Sequence, residues 1–113
     1  MKRIEAFVRV NKLDAVLEAL DEAGLPGVSV EPVRGYGRQY GRTDKYRGST
    51  YAVNLLPKTR IEVVVSDDDL EAAMQAIAEA AHTGEIGDGK IFVSEVSEAI
   101  RIRTGERGEA ALS

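Results

Sequence analysis

The sequence predicts an α+β fold, and two periodic patterns support that prediction. Apolar and polar residues alternate over residues 2–10, as they do in a strand with one buried face. Apolar residues recur at helical spacing over residues 12–23 and again over residues 67–81. The order strand, helix, strand therefore occurs twice. This is the arrangement of a ferredoxin-like βαββαβ fold, with one antiparallel sheet and both helices on one face.

The first unit is predicted to begin with the strand at residues 2–10. Asn11 is a suitable N-cap for the helix at residues 12–23, and Gly24 is a suitable stop. A second strand follows at residues 28–33. The apolar stripe of the helix consists of Leu13, Val16, Leu17, Leu20 and Ala23.

The second unit repeats this pattern. A strand rich in β-branched residues covers residues 61–65, and Ser66 with the three aspartates after it predicts the start of a helix that ends at Gly84. A strand over residues 90–96 and a short extended piece over residues 100–103 complete the unit. The apolar stripe of the second helix consists of Leu70, Ala73, Met74, Ile77 and Ala81.

Two helices on one face leave the opposite face of the sheet uncovered. Phe7 and Val64 are out of phase with the buried positions and are predicted to lie on that face. Because a wide apolar surface in water is unfavourable, we expect other copies of the chain to cover it. The alternative is a curved sheet in a monomer, with this face partly wet.

Composition limits the classes of function. Hydrophobic residues make up 43% of the chain and charged residues 30%, which is typical of one folded domain, here residues 1–113 with a tail at about 97–113. With no cysteine and one histidine, disulfides, His/Cys metal sites and thiol or serine–histidine nucleophiles are excluded. No apolar run reaches membrane-spanning length and no signal peptide is evident, so we expect a cytoplasmic protein without membrane insertion.

A basic, tyrosine-rich segment separates the two units. Seven basic residues, one acid and all four tyrosines lie within residues 34–60. Residues 37–55 have neither helical nor strand period, and a loop of that length is usually functional. Its glycines do not fit the dinucleotide-binding fingerprint. Single-stranded nucleic acid is an alternative ligand, but Phe7 and Phe92 are too few aromatic residues for a base-stacking sheet.

Two features predict an anion site. Residues 84–90 combine three glycines with Lys90, so that backbone amides can form an anion-binding nest beside a lysine. In an extended chain, Arg101 and Arg103 lie on the same side and suit phosphate oxygens. Each feature also has a structural interpretation, a tight turn for the first and a solvated edge strand for the second.

Lys58, at the foot of the long loop, and Gln39, near its start, form a further candidate pair. Beside a bound metal nucleotide, Lys58 would pair with a carboxylate of a small dicarboxylate, and the Gln39 amide oxygen would bind Mg²⁺. The alternative for Lys58 is an ordinary solvated side chain. Glu62 and Asp88 have no evident partner carboxylate or histidine, so we predict no enzymatic activity.

Along nearly its whole length the chain resembles the PII signal-transduction family, at unshifted spacing. The resemblance implies a non-enzymatic regulator of nitrogen metabolism, a homotrimer with nucleotide sites between subunits where ATP and ADP compete. The motifs that carry it are Gly35-Tyr-Gly-Arg-Gln39, Tyr46-Arg-Gly-Ser-Thr-Tyr51, Leu56-Pro-Lys58, Thr83-Gly-Glu-Ile-Gly-Asp-Gly-Lys-Ile-Phe92 and Arg101-Ile-Arg-Thr-Gly-Glu106.

The same resemblance implies roles for individual residues. Gln39 completes the Mg²⁺ sphere with the triphosphate and 2-oxoglutarate, while Lys58 and Gly87 contact 2-oxoglutarate. The implied nucleotide-binding residues are Ser29, Gly35, Gly37, Arg38, Glu62, Val64, Gly87, Asp88, Gly89, Lys90, Arg101 and Arg103.

The resemblance further implies that residues 37–55 are a flexible effector arm, the T-loop. Tyr51 and Ser49 are its candidate sites of nucleotidylation and phosphorylation. Arg47 is its candidate contact with an ammonium transporter, and enzymes or transcription regulators are other implied partners. Because Thr50, like Tyr40 and Arg42, departs from the family pattern, a nucleotide sensor that has lost its response to 2-oxoglutarate is an alternative.

Overall fold

A computed structural model describes residues 1–25, 27–36 and 55–113. Neighbouring strands pair antiparallel, in the sheet order β2-β3-β1-β4. The ferredoxin-like βαββαβ prediction is therefore confirmed. In chain order the described elements are β1 (Lys2–Val8), α1 (Leu13–Glu22), β2 (Val28–Gly35), β3 (Leu56–Val65), α2 (Leu70–Ala81) and β4 (Lys90–Glu95).

The hydrophobic core lies between one face of the sheet and the two helices. Alternate residues of β1 and β3 are buried, as the period-2 pattern predicts, and both helices pack their apolar stripes against them. Two predicted members of the α1 stripe are exceptions: Leu17 is partly buried outside this core, and Ala23 is the exposed C-cap. The buried core consists of Ile4, Ala6, Val8, Val16, Leu20, Ile61, Val63, Val65, Ala73, Ile77 and Ala81.

Both helices begin after a short 3₁₀ turn, which the sequence did not predict. Val10–Lys12 form the first turn, so β1 ends at Val8 and Asn11 lies inside the turn instead of capping α1. Asp67–Asp69 form the second turn, and the Ser66 hydroxyl bonds to the Asp69 carboxylate at 3.2 Å. The cap predicted at Asn11 is therefore wrong, whereas Ser66 precedes the second turn as its N-cap but makes no side-chain bond to the backbone.

The ends of the helices also differ in how well the sequence predicts them. Gly24 stops α1 as expected: its φ is 81°, and the amide of Leu25 bonds to the carbonyl of Leu20 at 2.9 Å. By contrast, α2 ends at Ala81, three residues before the glycine expected to stop it, since His82 is already extended.

The segment at residues 100–103 is not extended, so this prediction is wrong. The Arg101 amide bonds to the carbonyl of Glu106 at 2.8 Å, and the Gly105 amide bonds to the carbonyl of Arg101 at 2.7 Å. Ile102 lies in the resulting turn and is 97% exposed.

The outer face of the sheet, opposite the helices, carries Phe7 and Val64 as predicted. Its centre is charged, because Arg60 bonds to Glu5 and Glu62 at 2.5 Å each and to Glu31 at 2.9 Å. Three carboxylates thus surround one guanidinium, and the cations Arg3, Lys58 and Lys90 lie on the same face.

Candidate functional site

A groove of about 770 Å³ opens at one end of the sheet, where β2 ends and β4 begins. Residues 85–89, which connect α2 to β4, form one wall, and the end of β2 forms the other. Of the predicted site residues, six line this groove: Gly35, Lys58, Gly87, Asp88, Gly89 and Lys90.

Asp88 holds the connection from α2 to β4, the 83–89 loop, in its conformation. One carboxylate oxygen accepts hydrogen bonds from the amides of Thr83 and Gly84, at 2.8 and 2.9 Å. The other accepts from the Thr83 hydroxyl and from Arg9, the latter at 3.0 Å. Asp88 therefore acts on the loop itself and has little capacity left for a ligand.

Gly89 must be glycine for steric reasons. Its φ is +100°, and a Cβ there would lie 1.7 Å from the carbonyl oxygen of Phe7. No side chain fits at that distance, because the backbone of β1 itself occupies the space. The glycine lets the 83–89 loop pass directly against β1 before the chain enters β4.

The amides that remain free in the loop could bind an anion. Within the described ranges, no hydrogen bond engages the amide N–H groups of Ile86 and Gly87, and these two residues form a turn. The φ of Gly87 is 106°, and successive amides around a left-handed residue form a concave nest for anions. Lys90 lines the same groove, so the glycines and the lysine on which the anion-site prediction rests lie together.

Lys58 reaches the same loop from β3. Its ammonium donates to the carbonyl oxygen of Gly87 at 2.5 Å. Burial lowers the pKa of Lys58 below its ordinary value, the nearby Arg9 lowers it further, and Asp88 acts in the opposite direction. Lys58 thus brings a partly desolvated cation to the groove.

Arg9 is a residue of this region that the sequence analysis missed. Besides Asp88, its guanidinium bonds to the carbonyl oxygen of Ile86 at 2.9 Å. Arg9 and Asp88 are 79 positions apart in the chain, and neither lies in a short motif with the other. No local pattern could have identified the pair.

A second group of predicted residues lies elsewhere. Ser29 pairs with Glu62 across β2 and β3, which places both on the outer face, and Glu62 is bonded by Arg60. Val64 lines a separate cavity of about 670 Å³, beside the end of α1 and Glu109. Within one chain, these residues do not line the groove.

The two C-terminal arginines differ from the prediction and from each other. The Arg101 guanidinium bonds to the Glu106 carboxylate and to the carbonyl oxygens of Ala110 and Ser113. Arg103 is exposed, and the described part of the chain offers it no hydrogen bond. The expected pair of parallel arginines is therefore absent from this conformation.

The remaining predicted residues lie outside the described residues: Gly37, Arg38, Gln39, Arg47, Ser49 and Tyr51. The helices within the described ranges are too short or too polar to cross a membrane. In the same ranges, no cluster of three His, Cys, Asp or Glu side chains could hold a metal ion.

The Asp88 contacts make the folded state sensitive to acid. Hydrogen bonds from Thr83 and Gly84 hold the pKa of the Asp88 carboxyl well below its usual value. A lowered folded-state pKa stabilises the protein above the unfolded-state pKa of about 3.9, and this stability is lost as the pH falls. We expect the free energy of unfolding, from urea titrations, to decrease between about pH 5 and pH 3 by less in Asp88→Asn than in the wild type. Equal decreases in the two proteins would contradict this role.

Comparisons with known proteins agree on one family. A family model described as nitrogen regulatory protein P-II matches residues 1–106. The nitrogen regulatory protein P-II of Cereibacter sphaeroides is 58% identical over 112 residues, covering 99% of this chain and 100% of that protein. The protein of the same name from Azospirillum brasilense is 55% identical, with the same coverage. Nitrogen regulatory protein P-II 2 of Methanothermobacter thermautotrophicus is 53% identical, covering 99% of this chain and 97% of that protein. These matches show that the chain belongs to the nitrogen regulatory protein P-II family.

Proposed function

We propose that this protein is a non-enzymatic regulator of nitrogen metabolism that binds ATP, ADP and 2-oxoglutarate in the groove. The observation that carries the proposal is the nest of free amides between Lys58 and Lys90. Two cations and two unpaired N–H donors suit the oxygens of phosphates and carboxylates. Charge-assisted bonds of about 1.5–3 kcal/mol each are sufficient for micromolar binding after ordering costs.

The proposed assembly is a homotrimer with each nucleotide site shared between copies. Support comes from the separation of the implied nucleotide residues within one chain: one set lines the groove, while Ser29, Glu62 and Val64 lie apart from it. A neighbouring copy that brings its second set against the groove would complete the site. Arg103, which is exposed in the single chain, would be free to bind phosphates in such a shared site.

The proposed output is a change of the effector arm at residues 37–55. MgATP with 2-oxoglutarate favours one arrangement and ADP another, and partners such as an ammonium transporter or a nitrogen-metabolism enzyme bind one of them. Gln39, which lies in the arm, would connect it to the ligand by binding Mg²⁺. Arg47 would contact the partner protein, and Ser49 and Tyr51 would be sites of modification. No covalent step is required.

The outer face of the sheet has too few aromatic side chains to bind nucleic acid by base stacking. Phe7 and Phe92 do pack edge to face, with ring centroids 6.2 Å apart. These two rings are the aromatic side chains that the described strands place on this face, too few to stack successive bases. The paired rings are better suited to the apolar wall of the groove, which both of them line.

Light scattering and calorimetry test the proposal together. We expect a mass of about three chains, binding of both ATP and ADP, and binding of 2-oxoglutarate that requires MgATP. A monomer that binds no adenine nucleotide would refute the proposal. ATP turnover during the titration, followed by phosphate release, would refute its non-enzymatic part.

A further inference from the structure

Arg9 connects β1 to the 83–89 loop through two contacts. Its Nε donates to Asp88 Oδ1 at 3.0 Å, and a terminal nitrogen donates to the carbonyl oxygen of Ile86 at 2.9 Å. Both side chains of the ion pair are about three-quarters buried, with exposed fractions of 28% for Arg9 and 24% for Asp88. The Arg9 side chain is therefore held in place more firmly than that of a typical ion pair on a protein surface.

Arg9 is the charged partner of Asp88 within the described residues. Both carboxylate oxygens of Asp88 are engaged, one by Arg9 and the Thr83 hydroxyl, the other by the amides of Thr83 and Gly84. Among the described residues, Lys58 therefore donates to a neutral carbonyl, that of Gly87, and forms no ion pair. A partly buried ammonium with only a carbonyl partner favours an incoming anion.

We propose that Arg9 is a positioning residue of the anion site: by holding Asp88 in the 83–89 loop, it leaves the Lys58 ammonium available to a ligand carboxylate or phosphate. Without Arg9, Asp88 loses its charged partner, and its charge still attracts Lys58. The loop also loses its tie to β1 through Ile86. The identity of the ligand rests on the proposed function, whereas the effect of Arg9 on Lys58 does not.

The charged side chains around Lys58 allow a direct measurement of this effect. The groove brings Arg34 from β2, Glu85 and Asp88 from the loop, and Lys90 from β4 to the same region, with Arg9 behind the loop. Burial, and after it Arg9, lowers the pKa of Lys58. Removing Arg9 takes away one influence that lowers this pKa. It also leaves Asp88, whose charge raises this pKa, without its ion-pair partner. Both changes therefore act in the same direction.

Competitive acetylation of Lys58 with acetic anhydride, quantified by mass spectrometry over a pH series, tests the proposal. In Arg9→Gln we expect Lys58 to react severalfold more slowly near pH 8, since a higher pKa leaves a smaller fraction of the amine neutral. Arg9→Lys keeps the cation and should recover most of the rate. Lys12→Gln is the matched control, because Lys12 is a cation three residues further along and bonds to the loop by none of the described contacts.

Each outcome of the labelling series decides the question. Unchanged Lys58 reactivity in Arg9→Gln, or equal slowing in Arg9→Lys and Arg9→Gln, would overturn the proposal, because the cation would then not be what matters. Circular dichroism of each variant establishes that the fold is retained. If Arg9→Gln does not fold, Arg9→Lys alone decides the question. Wild-type reactivity of Lys58 in that variant supports the proposal, and slowing to the rate of free lysine overturns it.

Calorimetry with 2-oxoglutarate and MgATP measures the effect of Arg9 on ligand binding. We expect Arg9→Gln to weaken 2-oxoglutarate binding about tenfold, which is the effect of losing roughly one charge-assisted bond. Full wild-type affinity in this variant would overturn the positioning role. If the wild type itself binds no 2-oxoglutarate, the proposed function fails, and the labelling result still decides the role of Arg9.

Discussion

Replacing Gly89 by alanine will displace the 83–89 loop and abolish nucleotide binding. The added Cβ would lie 1.7 Å from the carbonyl oxygen of Phe7 and 2.8 Å from its carbonyl carbon, distances that no small shift of a side chain relieves. Phe7 cannot move away easily, because it pairs with Arg60 on one side and Lys90 on the other. We expect a loss of roughly 3 kcal/mol or more in the free energy of unfolding, measured by urea denaturation.

Gly24→Ala provides the matched control for this prediction. Gly24 also has a positive φ, 81°, but a Cβ there would meet nothing within 4 Å. Its substitution isolates the cost of left-handed backbone, about 1–2 kcal/mol, from the clash with β1. Similar losses in the two variants would show that the close approach of the loop to β1 is not what requires glycine.

The effect on binding follows from the position of Gly89 in the groove. Lys90 comes directly after it, and the amide nest comes directly before it. A displaced loop therefore separates the nest from both lysines. Calorimetry with ADP, at a temperature where the variant remains folded, should give no measurable heat. Wild-type affinity would contradict the assignment of the nest.

Periodicity was sufficient to predict the sheet and helices but not their starting points. The buried positions of β1 and the stripe of α2 follow directly from spacings of two and of three to four residues. The 3₁₀ turns before both helices depend instead on main-chain bonds, such as that from the Lys12 amide to the Arg9 carbonyl at 2.9 Å. Asparagine is a common N-cap residue, but the path of the backbone places Asn11 within the turn.

The candidate site shows the same division between local and long-range information. The nest at Gly87 was predictable because its glycines and Lys90 are neighbours in the sequence. The role of Arg9 was not, since its partner lies 79 residues away and comes close only when β4 pairs with β1.

The prediction for the C-terminal arginines failed for a recognisable physical reason. Alternation places Arg101 and Arg103 on one side only if the chain is extended. Thr104 and Gly105 instead favour a turn, which the Gly105 φ of 77° and the bond from Thr104 to Glu106 at 2.9 Å stabilise. The sequence did contain turn-forming residues, but the alternating arginines suggested an extended chain instead.

Lys58→Met is expected to remove 2-oxoglutarate binding while leaving ADP binding within about twofold of the wild type. Methionine keeps the length of the aliphatic stem, which matters because the Lys58 Cγ lies 3.3 Å from where a Cβ on Gly35 would be. What is lost is the ammonium that donates to Gly87. A charge-assisted bond of about 1.5–3 kcal/mol corresponds to a loss of roughly 10- to 150-fold in affinity, by calorimetry in MgATP.

The contrast between the two ligands gives this prediction its meaning. Phosphates can still use the amide nest and Lys90, neither of which Lys58→Met changes, so ADP serves as the internal control. Equal weakening of both ligands would mean that Lys58 acts through the shape of the 83–89 loop, because its bond to the Gly87 carbonyl holds that loop. Unchanged 2-oxoglutarate affinity would mean that the dicarboxylate binds elsewhere. Only selective loss is consistent with a lysine whose charge is directed to the ligand.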